Sequence, residues 1–230
     1  MRVQHEVQDG LYGRIQFDSL EKRLIDSAPF QRLRHIHQLA MCYQVYPGAT
    51  HKRFEHSLGV MEVASRIYDT IFDPRNVRDN VRERIAEELE PQQIQYWKRV
   101  VRLAALLHDI GHLPFSHAAE KELLPSGWNH ERITVEMLRH SEIADILQEA
   151  SPPVRPEDVI DAAWDISKRS NVETVSLSPW KTLLNEILTS NTFGADRIDY
   201  LLRDSWHAGV PYGRFDTNSL ISGLKGYYRS

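Results

Sequence analysis

Five of the eleven histidines in this 230-residue chain fall within one short stretch, at His108, His112, His117, His130 and His140. Imidazole carries protons near neutral pH and ligates first-row divalent metals, so a histidine cluster interleaved with carboxylates points to metal-assisted hydrolysis. The sharpest element is the pair His108-Asp109, which follows the apolar run Ala104–Leu107 and precedes Gly111 and Pro114. An Asp held at the buried end of a helix without a partner costs several kcal/mol, on the order of usual desolvation penalties, and a cation would offset that. The bland alternative is a structural salt bridge. Neighbouring helix residues point about 100° apart, which lets the two side chains straddle one ion. Two protein ligands do not complete a hydrolytic site. Further candidates are His56, in Arg53-Phe54-Glu55-His56-Ser57-Leu58-Gly59, and one of the two aspartates of Asp196-Arg197-Ile198-Asp199-Tyr200. Nothing local separates Asp196 from Asp199.

The elements that must position these groups read as helices. Apolar residues recur at helical spacing in Leu58, Met61, Val63, Ile67 and Ile71, and again in Ile94, Trp97, Val101, Ala104 and Ala105. Breakers at Tyr46-Pro47-Gly48, Asp73-Pro74, Pro125-Ser126-Gly127, Ser151-Pro152-Pro153 and Ser178-Pro179 begin no alternating strand pattern. The expectation is an all-α helical bundle, with a short hairpin over Val3–Phe17, where Gly10 and Gly13 supply the turn. The charged stretch Asp73–Glu90 reads as an exposed helix or loop. Pro152-Pro153 is the best candidate boundary, but the chemistry-bearing strings lie on both sides of it, so residues 1–230 are expected to form one domain.

The formal net charge of -4 provides no overall basic field to gather a long polyanion. From Arg14 to Arg53, however, seven Lys or Arg face three acids, which suits a small phosphorylated ligand. The single cysteine, Cys42, excludes an internal disulfide and fits a reducing, cytoplasmic compartment. The longest apolar run, Val100–Leu107, is interrupted by Arg102, so no membrane span is expected.

Taken together and in order, Gln31-Arg32-Leu33-Arg34, the string Arg53 to Gly59, the string His108-Asp109-Ile110-Gly111-His112-Leu113-Pro114-Phe115-Ser116-His117, and Asp196 to Tyr200 resemble the deoxynucleoside triphosphate triphosphohydrolases of the HD superfamily. That resemblance implies an HD-domain helical bundle and the metal ligands His56, His108, Asp109 and Asp196. Manganese, magnesium, iron, cobalt, nickel or zinc would each suit such a set. It also places His112, His117 and His130 near the phosphates, with Glu131 beside them. His117 would protonate the departing 5′ oxygen, and His112 with Glu131 would orient or activate the nucleophile, all three histidines acting alternatively as phosphate clamps.

By the same resemblance Arg53 and Arg197 hold phosphate oxygens, and Gln38, Tyr200 and Asp204 contact the sugar. Arg197 stands where relatives often carry Lys. Asp26, Gln31 and Arg34 match positions that in some relatives read an activating guanine nucleotide at an oligomer interface, and a homo-oligomer is implied. The implied reaction is hydrolysis of a deoxynucleoside triphosphate to deoxynucleoside and tripolyphosphate. Alternatives with the same centre are an HD nuclease acting on single-stranded nucleic acid and a nucleotide phosphodiesterase or nucleotidase. A non-catalytic nucleotide-sensing module is the rival outside enzymes. Relatives usually continue well past the last aspartate motif, so this chain is expected to lack their C-terminal extension.

Overall fold

The computed structural model describes residues 5–77, 85, 90–164, 178–190 and 193–224. It opens with an antiparallel hairpin, β1 (His5–Asp9) paired to β2 (Gly13–Phe17) in the register His5 to Phe17 and Asp9 to Gly13. This is the expected hairpin, less Val3 and Gln4, which lie outside the described residues. Gly13 adopts φ 73°, a left-handed conformation that glycine takes without a Cβ penalty. Ile15 and Phe17 turn inward while Arg14 and Gln16 face solvent, so alternation seats the hairpin on the helical body.

Helices make up most of the rest. They are α1 (Ser19–Asp26), α2 (Ala28–Gln31), α3 (Arg53–Ile71), α4 (Pro91–Leu107), α5 (His117–Leu123), α6 (His130–His140), α7 (Glu142–Gln148), α8 (Pro156–Ala163), α9 (Pro179–Thr189), α10 (Ala195–Ala208) and α11 (Thr217–Ser222), with 3-10 turns at Arg32–His35 and Cys42–Gln44. The expected breakers fall between helices, except Ser178-Pro179, which caps and begins α9. Asp73–Glu90 falls largely on residues outside the described set.

Local chemistry explains the helix ends. Asp18 and Glu21 form a reciprocal capping box on α1, Asn129 accepts the Arg132 amide at the start of α6, and proline occupies the first turn of α4 and α8. α3 is buried on almost every side, from Arg53 to Ile71, and packs against α4 and α10. The last two turns of α4, Val100 to Leu107, are entirely buried, Arg102 among them, because its guanidinium meets the Glu21 carboxylate at 2.6 and 3.0 Å. Burying the ends of α3, α4 and α10 together carries their polar terminal residues into one place. None of the described helices is long and apolar enough to cross a membrane.

Candidate metal centre and histidine cluster

α4 ends at Leu107 with His108 as its C-cap, and the chain then turns sharply through Asp109 to Ser116. Thr134 on α6 holds this turn by accepting the Gly111 amide at 2.9 Å, and Arg32 donates to the carbonyls of Ile110 and His112, the latter at 2.8 Å. Phe115 and Ser116 close the turn with φ of 68° and 52°, a left-handed conformation that non-glycine residues adopt under constraint from their surroundings. One such constraint is the Arg53 guanidinium, which donates to Ser116 Oγ at 2.7 Å and also to Asp109 Oδ2.

His56 arrives from the first turn of α3 and Asp196 from the first turn of α10. Among the described residues, ligand atoms of His56, His108 and Asp196 lie within 4.8 Å of one another. His56 Nε2 is 3.2 Å from Asp196 Oδ1, and His108 Nε2 is 3.7 Å from the same oxygen. Asp109 adjoins them, its Oδ1 3.4 Å from His108 Nε2 and its Oδ2 3.8 Å from His56 Nε2.

The outer nitrogens are already committed. His56 Nδ1 meets Asp199 Oδ2 at 2.7 Å, and His108 Nδ1 meets the Ala105 carbonyl at 2.8 Å. Hydrogen bonds of this kind fix the proton on Nδ1 and turn Nε2 inward as a lone-pair donor. His108 Nε2 is buried without a hydrogen-bond partner, as expected of a group arranged to ligate. The four residues therefore fit a divalent metal: two imidazole nitrogens, two carboxylates, and second partners that orient them. Burial acts to lower the His56 pKa, but the Asp196 and Asp199 carboxylates overcome it and push it up to about 10 in the metal-free protein. Burial acts to raise Asp109, yet the Arg53 guanidinium and the neighbouring imidazoles hold it well below the ordinary carboxylate range.

A second cluster abuts the first. His112 Nε2 lies 3.3 Å from Asp109 Oδ1, and its ring stacks on His130 with centroids 3.8 Å apart. Glu120 Oε1 stands 2.9 Å from His130 Nδ1 and 3.4 Å from the Nδ1 atoms of both His112 and His117. Burial drives His112 down to about 4, against the pull of Asp109, so this imidazole is neutral at pH 7. His117 is exposed at the pocket rim. Glu131 lines the same pocket, while the carboxylate among the three histidines is Glu120. Sequence reasoning passed over Glu120. Its spacing of three residues from His117, on the helix that His117 begins, was the available signal.

Both clusters open into a cavity of about 710 Å³. Gln38, Arg53, Arg197 and Tyr200 line it, with the Arg197 Nε donating to the Tyr200 hydroxyl at 3.1 Å. Asp204 is not among the lining residues; it is buried, with its Oδ1 2.7 Å from His51 Nε2. Asp26, Gln31 and Arg34 lie elsewhere: Asp26 pairs with Lys22, the Arg34 Nε donates to Gln31 Oε1 at 2.8 Å, and the Arg34 guanidinium stacks 3.5 Å from the Phe54 ring centre.

Residues 53–204, which carry every metal-ligand candidate, match the HD domain model. The chain belongs to the HD domain family. An uncharacterized protein of Methanocaldococcus jannaschii is 34% identical over 218 residues, covering 95% of this chain and 37% of its own length. The deoxynucleoside triphosphate triphosphohydrolase of Bos taurus is 33% identical over 222 residues, 89% of this chain and 36% of its own. The crystal structure of a hypothetical protein from Aquifex aeolicus superposes with a TM-score of 0.73 at 37% identity, over 97% of this chain and 52% of that one. This HD domain thus spans a little over a third of the length of those two curated relatives.

Proposed function

We propose that this HD domain hydrolyses deoxynucleoside triphosphates to deoxynucleoside and tripolyphosphate, with residues 1–230 acting as one phosphohydrolase unit. The observation that carries the reading is a single cavity of about 710 Å³ in which the metal-capable group and the histidine cluster meet through Asp109 and His112. That volume is in the range of roughly 300–1,000 Å³ that suits a small ligand rather than a polymer track. The likeness to the Bos taurus triphosphohydrolase supports the same substrate class.

When bound at His56, His108, Asp109 and Asp196, a divalent cation supplies Lewis acidity toward the phosphate and the attacking water. The bond that breaks joins the α phosphorus to the 5′ oxygen. Water supplies the oxygen that replaces it. His112, neutral at pH 7, and Glu131 orient that water and receive its proton. His117, at the rim, gives a proton to the departing 5′ oxygen, so the charge balances. His130 and the Arg53 and Arg197 guanidinium groups contact phosphate oxygens. Gln38 and Tyr200 face the sugar, and Asp204, with Oδ1 engaged by His51, offers its other oxygen. Activation by a guanine nucleotide at Asp26, Gln31 and Arg34, a homo-oligomeric state and a cytoplasmic location belong to the same reading.

The test is incubation of the purified chain with each dNTP and NTP, supplying manganese, magnesium or cobalt, with products resolved by ion exchange beside a His108→Ala, Asp109→Ala control. Deoxynucleoside and tripolyphosphate, absent from the control, are the expected products. Monophosphates or cleaved oligonucleotides would replace this reading with a phosphodiesterase or nuclease. Binding of nucleotide without product under any metal would replace it with a sensing module. Added GTP that left a hyperbolic rate curve unchanged would remove the activation site.

A further inference from the structure

The N-terminal hairpin reaches the metal centre through a buried chain of charge. Asp9, at the end of β1, divides its carboxylate between two tasks. Oδ1 accepts the amides of Leu11 and Tyr12 at 2.8 and 3.0 Å and so shapes the hairpin turn, while Oδ2 accepts Arg203 Nη1 at 2.9 Å. Arg203 grips Asp199 with its Nε and Nη2, each at 2.9 Å, and Asp199 Oδ2 meets His56 Nδ1 at 2.7 Å. All four side chains are buried. The path is tightly walled: a Cβ built on Gly59 of α3 would stand 2.0 Å from Asp199 Oδ1 and 2.4 Å from Arg203 Nη2. Beside it the Trp206 ring presses against Gly10 in the hairpin turn, where a Cβ would lie 2.6 Å from the indole.

We infer that Asp9, Arg203 and Asp199 are positioning residues that couple the N-terminal hairpin to metal affinity at His56. The inference rests on the metal-centre reading above. Arg203 carries one positive charge between two carboxylates, so loss of Asp9 leaves its fork free to shift along Asp199 and with it the hydrogen bond that aims the His56 ring. Outer partners of metal-bound histidines typically control affinity by about 10- to 100-fold. Coupling of this kind is reciprocal: if the hairpin sets metal affinity, metal binding steadies the hairpin.

The experiment is titration of the metal-free protein with Mn²⁺ by calorimetry, paired with hydrogen exchange over residues 5–17 with and without Mn²⁺. Asp9→Asn keeps an oxygen for the turn amides and removes the charge, and Arg203→Lys keeps the charge and removes the fork. Glu21→Gln is the matched control, because Glu21 forms a similarly buried pair with Arg102 and, among the described residues, no hydrogen bond or ion pair joins it to the metal group. Both test variants are expected to weaken Mn²⁺ binding by about tenfold, while Glu21→Gln changes it less than twofold despite a comparable loss of thermal stability. Mn²⁺ is expected to slow exchange in the wild-type hairpin and to have no such effect in Asp9→Asn. Unchanged affinity in Asp9→Asn and Arg203→Lys, or equal weakening in Glu21→Gln, would overturn the coupling alone. A wild-type chain that bound no Mn²⁺, Co²⁺ or Zn²⁺ would overturn the metal reading itself.

Discussion

Asp109 Oδ1 lies 3.3 Å from His112 Nε2, and this contact joins the metal-capable group to the histidine cluster. The other oxygen of Asp109 accepts from Arg53, so one buried carboxylate is shared by a neutral imidazole, a guanidinium and the metal group. Asp109→Asn keeps the shape and deletes the charge. Activity is expected to fall by about 10²- to 10³-fold, the scale seen when one preorganised electrostatic contact is removed. Elemental analysis should show reduced metal content beside the kinetic loss; a fully metallated, fully active variant would contradict the assignment.

Metal uptake should release a proton. In the metal-free protein His56 is pushed up to about 10 by Asp196 and Asp199, so at pH 7 it is charged and must lose a proton to ligate. Affinity therefore rises with pH below about 10. The same shift gives the sign for stability without metal: a raised histidine stabilises the fold fully below its ordinary 6.5, and that contribution is lost as pH climbs through about 10. Calorimetry in two buffers of different ionisation enthalpy would count the protons, and a count of zero would refute the protonated His56.

Glu120 should matter to turnover rather than to metal retention. Its Oε1 is within 3.4 Å of three imidazole nitrogens and orients the cluster from outside the metal group. Glu120→Gln is expected to lower kcat by about 10²-fold, the lower end of what positioned acid–base groups contribute. Metal content should stay at the wild-type level. A variant with normal kcat would leave His112, His117 and His130 independent of this carboxylate.

Gly111 has no room for a side chain. A Cβ there would stand 2.1 Å from the His130 carbonyl and 2.5 Å from Thr134 Oγ1, which itself accepts the Gly111 amide. Gly111→Ala should cost roughly 1–3 kcal/mol, as other overpacked sites do. It should also displace His130 from His112. Urea denaturation with parallel assay would show both losses, and an undisturbed midpoint would mean that the turn accommodates a methyl group.

Thr134→Val tests the same joint from α6. It removes the acceptor for the buried Gly111 amide at nearly constant volume, and an unpaired buried donor costs about 1–3 kcal/mol. Faster hydrogen exchange at Gly111 is the expected signature.

The amino-acid sequence by itself determined the two long helices and most of the ligand-type residues of the site. Helical spacing in the chain from Leu58 to Ile71 and from Ile94 to Ala105 specified α3 and α4, because a 3.6-residue apolar period can bury itself in few other ways. Gly10 and Gly13 pointed to the hairpin, and the structure pairs His5–Asp9 with Gly13–Phe17. His108-Asp109 was legible because an apolar helix ended on two ligand-type residues. What spacing left open was which late aspartate joins His56 and His108 in the metal-capable group. Asp196 and Asp199 sit three residues apart on one face of α10, and packing decides between them: Asp196 at the helix start opens to the pocket, whereas Asp199, one turn deeper, is fully buried behind His56 against Arg203. Glu120 did not stand out for a related reason. A carboxylate three residues after a surface histidine is ordinary on a helix, and only the approach of α6 brings His130 and His112 to it. The pairing of Asp9 with Arg203, 194 residues apart, lay further still beyond local pattern. Periodicity reports which face of an element is buried, and the partner that face meets is fixed only when all the helices close on one core.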